Sequence, residues 1–389
     1  MFDGALMFDR ARVIDSLCCL LRDATSRWPA LGDVDAERFY DTAREEGVHL
    51  LLAQRLRQRG PLDDDDCVPA LRNRLVPALR RQLVAEEIFR LELERVLSAL
   101  DRAGIRAAVM KGGALAYTHY ASPALRPRVD ADVLIARSSR SSAGAALEAL
   151  GYEPIPITSG DLVMHQGTYV RTDGGARHVV DVHWEVSNPQ VFARALPSGE
   201  LLAASVPVAP LGDAARAPSA VHSLAIACIH RVAHHQRDRL IWIHDIHLLA
   251  DRFNDAECEA FAALCAARQL NAVCAQGLAV AERCFGGEGT ARLLARMGGR
   301  AVAAQEPSAA FAAKPMRKLD VLRSDLATLS GWPARLTLLR EHLFPPPDYI
   351  RARYGIKSAA LLPFSYAWRI VRGAAVWLWP RGAPEDDGK

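Results

Sequence analysis

Two carboxylates one residue apart, Asp130 and Asp132, lie inside the apolar run VDADVLIA at 129–136. In a β-strand successive side chains alternate faces, so both acids would point one way while Val129, Ala131 and Val133 point the other. Neighbouring buried carboxylates repel, and burial raises the pKa of at least one of them. A cation between them removes that cost, and oxygen ligands of this kind suit Mg²⁺ or Mn²⁺. A second segment, RHVVDVHWEV at 177–186, repeats the pattern. Asp181, His183 and Glu185 share one face there, and Val180, Val182, Trp184 and Val186 share the other. The alternation fits a strand at the edge of a metal site, and it fits an ordinary exposed strand face equally well.

Ahead of both segments stands Lys111-Gly112-Gly113, between an apolar run at 105–110 and a short helix-like stretch at 114–120. Glycines permit tight turns and close backbone approach, and a helix start offers unpaired N–H groups to a phosphate. The basic residues are nearly all arginine, with lysine only at 111, 314, 318, 357 and 389. Lys111 therefore stands out, and a compact ammonium suits a place beside a phosphate. Arg126 and Arg128, just before the paired acids, are placed either to neutralise phosphate charge or simply to aid solubility.

The elements that must position these residues change in character along the chain. Residues 1–100 read as helices: Leu75, Leu79, Leu83, Ile88, Leu91 and Leu100 recur at helical spacing, which predicts one long amphipathic helix following Pro77. The acidic run Asp63 to Asp66 reads as a solvated loop. Residues 101–215 read as strand, turn, helix, strand (128–136), helix (139–150) and a hairpin of strands at 165–171 and 177–186 around Asp173-Gly174-Gly175. Residues 216–389 turn helical again and carry His222, His230, His234, His235, His244 and His247. His230 and His234 are four apart, but the glutamate of a metalloprotease HExxH is missing, so a polar network lining a cleft is favoured over zinc. Asp245 is placed to reach a helix end or an arginine.

Composition narrows the function. A net charge of +3 over 389 residues argues against a dedicated nucleic-acid binder. The eight cysteines include no CxxC and read as free thiols in a reducing cytoplasm. The N-terminal acids and arginines leave no apolar core for a signal peptide. The Trp-rich stretch at 359–380 is interrupted by Pro363, Arg369 and Arg372, so it reads as a buried or amphipathic helix, and membrane attachment through it is not favoured. No P-loop, GxSxG or dinucleotide fingerprint is present.

The segments KGGALAYTHY, RPRVDADVLI and VDVHWEV together resemble a bacterial family of uncharacterised nucleotidyltransferases with a KG-x-x-L motif, within the DNA polymerase beta-like superfamily. HRVAHHQRDRLIWIHDIHLL at 230–249 and LFPPPDYIRARYG at 343–355 add to the likeness, which runs from about residue 97 to 372. The resemblance implies an α+β fold, a mixed-sheet nucleotidyltransferase core flanked by N-terminal and C-terminal helical regions. It implies a metal-dependent enzyme that moves a nucleoside monophosphate from a triphosphate such as ATP to a hydroxyl, phosphate or amine of a small molecule, peptide or protein. Asp130, Asp132 and Asp181 would be the catalytic metal ligands, with Mg²⁺ or Mn²⁺ as cofactor. Lys111, Gly112, Gly113 and Arg128 would bind the nucleotide, and His183 would orient the acceptor, support Asp181 or make a structural hydrogen bond. The alternative is a non-catalytic module of the same fold that binds or senses nucleotide.

Overall fold

The computed structural model describes residues 9–59, 67–158, 160–233, 237–297, 305–313 and 316–378. The first eight residues, the acidic run Asp63 to Asp66, His234 and His235, and the tail beyond 378 lie outside the described residues.

Four helices come first: α1 Arg10–Arg22, α2 Asp33–Glu45, α3 His49–Arg59 and α4 Pro69–Arg102. The last is a single helix that begins before Pro77 and runs through it, where the sequence placed its start after the proline. Proline removes an N–H donor and crowds the preceding turn. Burial of Leu71, Leu75 and Leu79 before and around it, and of Leu93, Val96, Leu97 and Leu100 beyond it, outweighs that local cost.

The next elements are β1 Ala107–Val109, α5 Lys111–Thr118, β2 Ala131–Ile135, α6 Arg140–Ala149, β3 Glu153–Pro154, β4 Gln166–Asp173 and β5 Ala176–His183. The five strands form one sheet in the order β1-β2-β5-β4-β3. β2 and β5 run parallel and the other neighbours antiparallel, so the sheet is mixed. β4 and β5 make the expected hairpin. Gly174 and Gly175, at φ 54° and 83°, form its two-residue turn, and left-handed backbone at both central positions is what that connection requires.

Beyond the sheet come α7 Gln190–Ala193, α8 Ser198–Ala203, the short pair β6 Val206–Pro207 and β7 Arg216–Ala217, then α9 Ala220–Ala233, α10 Leu240–Asp251, α11 Asp255–Arg268, α12 Asn271–Phe285 and α13 Glu288–Arg296. The chain continues through α14 Ala309–Ala313, α15 Lys318–Thr328, α16 Trp332–Leu343, α17 Pro347–Tyr354 and α18 Leu362–Leu378. The class is α+β.

Two apolar clusters account for most of the packing. In one, Leu93, Val96 and Leu97 of α4 and Leu147 of α6 meet Val109, Val133, Ile135, Val180 and Val182 of the sheet. In the other, Leu17, Phe39, Leu50 and Leu75 from the first helices pack with Phe192, Leu224, Ile246, Phe261 and Leu278 from the later ones. Helices far apart in sequence thus share one core, which reaches the sheet through Ala108, Met110 and Leu134. No helix among the described residues is long and apolar enough to cross a membrane. In α18 the Tyr366 hydroxyl donates to the Pro345 carbonyl and Arg369 donates to the His342 carbonyl, while Phe364 and Trp368 are exposed.

Candidate active site

The parallel register of β2 and β5 sets Asp132 beside Asp181 and Leu134 beside His183. The His183 ring extends back to Asp132, with Nε2 2.7 Å from Oδ1. The Lys111 ammonium donates to the same oxygen at 2.6 Å. Asp181 is held from β4: Thr168 Oγ1 donates at 2.6 Å to one oxygen and Gln166 Nε2 at 3.2 Å to the other. Thr168 is the register partner of Asp181, which is why its hydroxyl arrives there. One donor atom from each of Asp132, Asp181 and His183 lies within 4.8 Å of the other two.

Asp130 precedes β2, so the strand is shorter at its start than its alternation suggested, and this acid stands outside that trio. It remains in the same field. Burial pushes its carboxyl up to about 6, the charges of Asp132 and Asp181 add to the shift, and Lys111 and Arg126 oppose it. Asp181 is also raised, by burial first, against the Thr168 hydrogen bond. Asp132 goes the other way: burial would raise it, but Lys111 and then His183 hold it well below the usual carboxylate range. One acid of the group therefore has its counter-charge, while the other two are destabilised as anions. Two carboxylates and an imidazole converging at this range, with a third acid beside them, form a donor set that fits a divalent cation. Glu185, expected on the same face, lies past the end of β5 and sits 3.5 Å from Arg137.

The turn into α5 is built differently from the expectation. Lys111 itself adopts left-handed backbone at φ 52°, while Gly112 and Gly113 are the next residues of the helix and stay out of that region. Holding a lysine there costs roughly 1–2 kcal/mol. It aims the ammonium at Asp132. The glycines supply clearance instead. A Cβ on Gly112 would sit 2.9–3.1 Å from the Arg126 guanidinium, and one on Gly113 2.8 Å from Val109 Cγ1. A side chain at either position would push α5 off β1 and off the arginine beneath it.

The chain matches the family described as uncharacterised nucleotidyltransferase over residues 32–286, more than half of its length. It belongs to that family. The match begins just ahead of α2, well before the residue-97 limit of the motif likeness, and it stops short of the 343–355 segment. No curated protein matches the chain. Membership gives this nucleotidyltransferase a general role in nucleotidyl transfer and a nucleoside triphosphate as substrate class.

The chain uses its two arginines ahead of β2 in buried ion pairs. Arg126 is buried and chelates Asp245 of α10, with Nε 2.9 Å from one oxygen and an Nη 2.7 Å from the other. Tyr120 adds a hydrogen bond to Asp245 at 2.7 Å, and His244 Nδ1 lies 3.2 Å from that hydroxyl. Asp245 thus reaches an arginine, as one of its two expected roles required. Arg128 pairs at 2.6 Å with Glu86 of α4 and lies over the Phe89 ring, only 4% exposed. Its guanidinium is committed to α4, which leaves the expected phosphate contact without support in this structure. Among the described residues none of the C-terminal histidines joins a group of three metal-ligating side chains. His230 instead packs edge-on against Trp242.

Sequence reading missed Gln166 and Thr168. Their alternation on β4 was the available signal, since both project to the face that carries Asp181 once the hairpin register is known. It also missed Glu86 and Glu92, buried acids of α4 that pair with Arg128 and with Arg171 and so clamp α4 to the sheet.

Proposed function

We propose that this protein is a metal-dependent enzyme that moves a nucleoside monophosphate from a nucleoside triphosphate to a hydroxyl, phosphate or amine acceptor. The observation that carries the proposal is the convergence of Asp132, Asp181 and His183 within 4.8 Å, with Asp130 in the same field. Asp132 and Asp181 would hold Mg²⁺ or Mn²⁺, with Asp130 supplying a further carboxylate and His183 keeping Asp132 oriented. When bound, the cation neutralises phosphate charge and makes an acceptor oxygen easier to deprotonate.

The chain's own groups do the rest. Lys111 and the first N–H groups of α5 face the triphosphate, an anion suited to a helix start. The acceptor atom bonds to the α-phosphorus, the bond to the β-phosphate oxygen breaks, and pyrophosphate leaves with the electron pair. Asp181, raised by burial, is the base that takes the acceptor proton. Gln166 and Thr168 hold that carboxylate in place, and Arg126 fixes the base of α5 from below.

Calorimetric titration with ATP, CTP, GTP and UTP, with and without Mg²⁺, tests this reading. One triphosphate should bind only with metal, and Asp130→Ala and Asp132→Ala should abolish binding while staying folded. Binding that survives both substitutions, or does not need metal, would point to a nucleotide-sensing module instead.

A further inference from the structure

A cleft of about 920 Å³ opens between α7, the C-terminal end of α11 and α15. Sites for small molecules measure roughly 300–1,000 Å³, so this one is large enough for a metabolite or a peptide end. None of Asp130, Asp132, Asp181 and His183 lines it. Its apolar surface comes from Val191, Ala195, Ala267 and Ala310, and Arg194, Arg268 and Arg323 carry positive charge into it. Arg268 pairs with Glu200. Arg194 and Arg323 are exposed, and neither forms an ion pair with a described residue. The cleft's acid, Asp320, is bonded by Arg317 at 2.9 Å. The balance of free charge in the cleft is therefore positive, over small apolar side chains.

The cleft is joined to the carboxylates by the segment that leaves β5. Nine residues beyond Asp181, the Gln190 N–H donates at 2.7 Å to the buried Asp325 of α15 and ties two walls of the cleft together. The Gln190 side chain donates to the Leu162 carbonyl and lies 3.1 Å from His165 Nε2. His165 is the joint between the two regions. Burial, then Arg137 and Arg194, push its ring down to about 4, and His183 adds to the same effect. The ring is thus neutral at pH 7 and stands in the field of both a cleft arginine and an active-site histidine.

We infer that the cleft is the acceptor subsite, and that the acceptor is a small organic anion whose phosphate or carboxylate sits on Arg194 and Arg323 while its apolar body lies on the alanines. The inference rests on the nucleotidyl-transfer reading for the acceptor's role, and on the cleft alone for its charge.

The test uses the full chain and phenyl phosphate as probe, with benzoate, inorganic phosphate and phenol for comparison, followed by calorimetry. Phenyl phosphate or benzoate should bind at least about tenfold more tightly than phenol, a step of about 1.4 kcal/mol. The double variant Arg194→Glu/Arg323→Glu should lose that binding, Ala327→Trp should block it by filling the cleft, and Asp181→Asn should keep it. Wild-type protein that binds neither organic anion, or variants that bind as well as wild type, would overturn the inference. The same proteins are titrated with the Mg²⁺-triphosphate. Unchanged affinity in the arginine variant supports a subsite separate from the donor, and lost affinity overturns it. If wild type binds the organic anion through the arginines but no triphosphate, the transfer reading and the acceptor role fall while the anion site stands.

Discussion

Charge is handled in opposite ways in two neighbouring parts of this molecule. Between β2 and α10, Arg126 meets both oxygens of Asp245, and Tyr120 supplies a further hydrogen bond. Between β2 and β5, three acids share one lysine and one histidine, and burial raises Asp130 and Asp181. In the first region each buried charge has its counter-charge within the fold. In the second the fold stops short of neutrality. A buried pair that is complete serves packing and orientation. A buried cluster that is incomplete stores an electrostatic cost that a cation can relieve, and such clusters concentrate at functional sites.

If the contrast is sound, the two regions should respond in opposite ways to loss of a charge. The largest effect falls on transfer. Asp132→Ala and Asp181→Ala should each reduce pyrophosphate release by about 10³-fold, the scale of removing a group that stabilises developing charge, with unchanged far-UV circular dichroism. Transfer at near wild-type rate in either variant would break the comparison at its functional end. Arg126→Ala should instead cost stability, about 3–5 kcal/mol in urea denaturation, because it leaves Asp245 buried without its cation. Combining it with Asp245→Ala should lose less than the sum of the single changes, since both act on one pair.

Asp130→Asn should do the reverse. An acid whose folded-state pKa is raised favours the protonated form, so its contribution is fullest below the ordinary carboxylate range and is lost as pH rises through about 6. The variant should therefore match wild type near pH 4 and exceed it at pH 7 in metal-free buffer by about 1–3 kcal/mol, as read by scanning calorimetry. Equal stability at both pH values would mean that Asp130 carries no stored cost.

The last effect sharpens the boundary between the two cases. Asp325, raised to about 6 by burial against the Gln190 hydrogen bond, has one hydrogen-bond partner and no cation among the described residues. By the same sign, Asp325→Asn should remove a fall in stability between pH 4 and 6 worth about 1–3 kcal/mol, while Mg²⁺ changes neither protein through this position. A metal-dependent shift in melting temperature lost with Asp325 would blur the distinction.

How far the site could be read in advance followed from how local each feature is. The alternation of Asp181 and His183 on β5, and the glycine turn before it, depend on a few consecutive residues and were legible. The strand at Asp130 was drawn too early, because pairing with β5 starts at Ala131 and sequence periodicity does not report its neighbour. The Lys-Gly-Gly turn was located, but nothing in the sequence marked Lys111 as its left-handed residue. Glycine is the default there, and the gain that outweighs strain at Lys111, an ammonium on Asp132, exists only across the sheet.

Side-chain periodicity and turn chemistry are written residue by residue, so the chain alone specified an α+β order of elements, a strand through Asp132, a hairpin and helices on both sides. Partnership is not written that way. Arg126 finds Asp245 119 positions away and Arg128 finds Glu86 42 positions away. Until those elements pack, an arginine before two aspartates looks the same whether it will hold a phosphate or a helix. Desolvation decides which charges must be matched, and the packed fold defines where water is excluded. That is why the acids of this site were visible as a pattern, while the roles of the residues around them emerged from the register of β2 on β5 and the docking of α4 and α10.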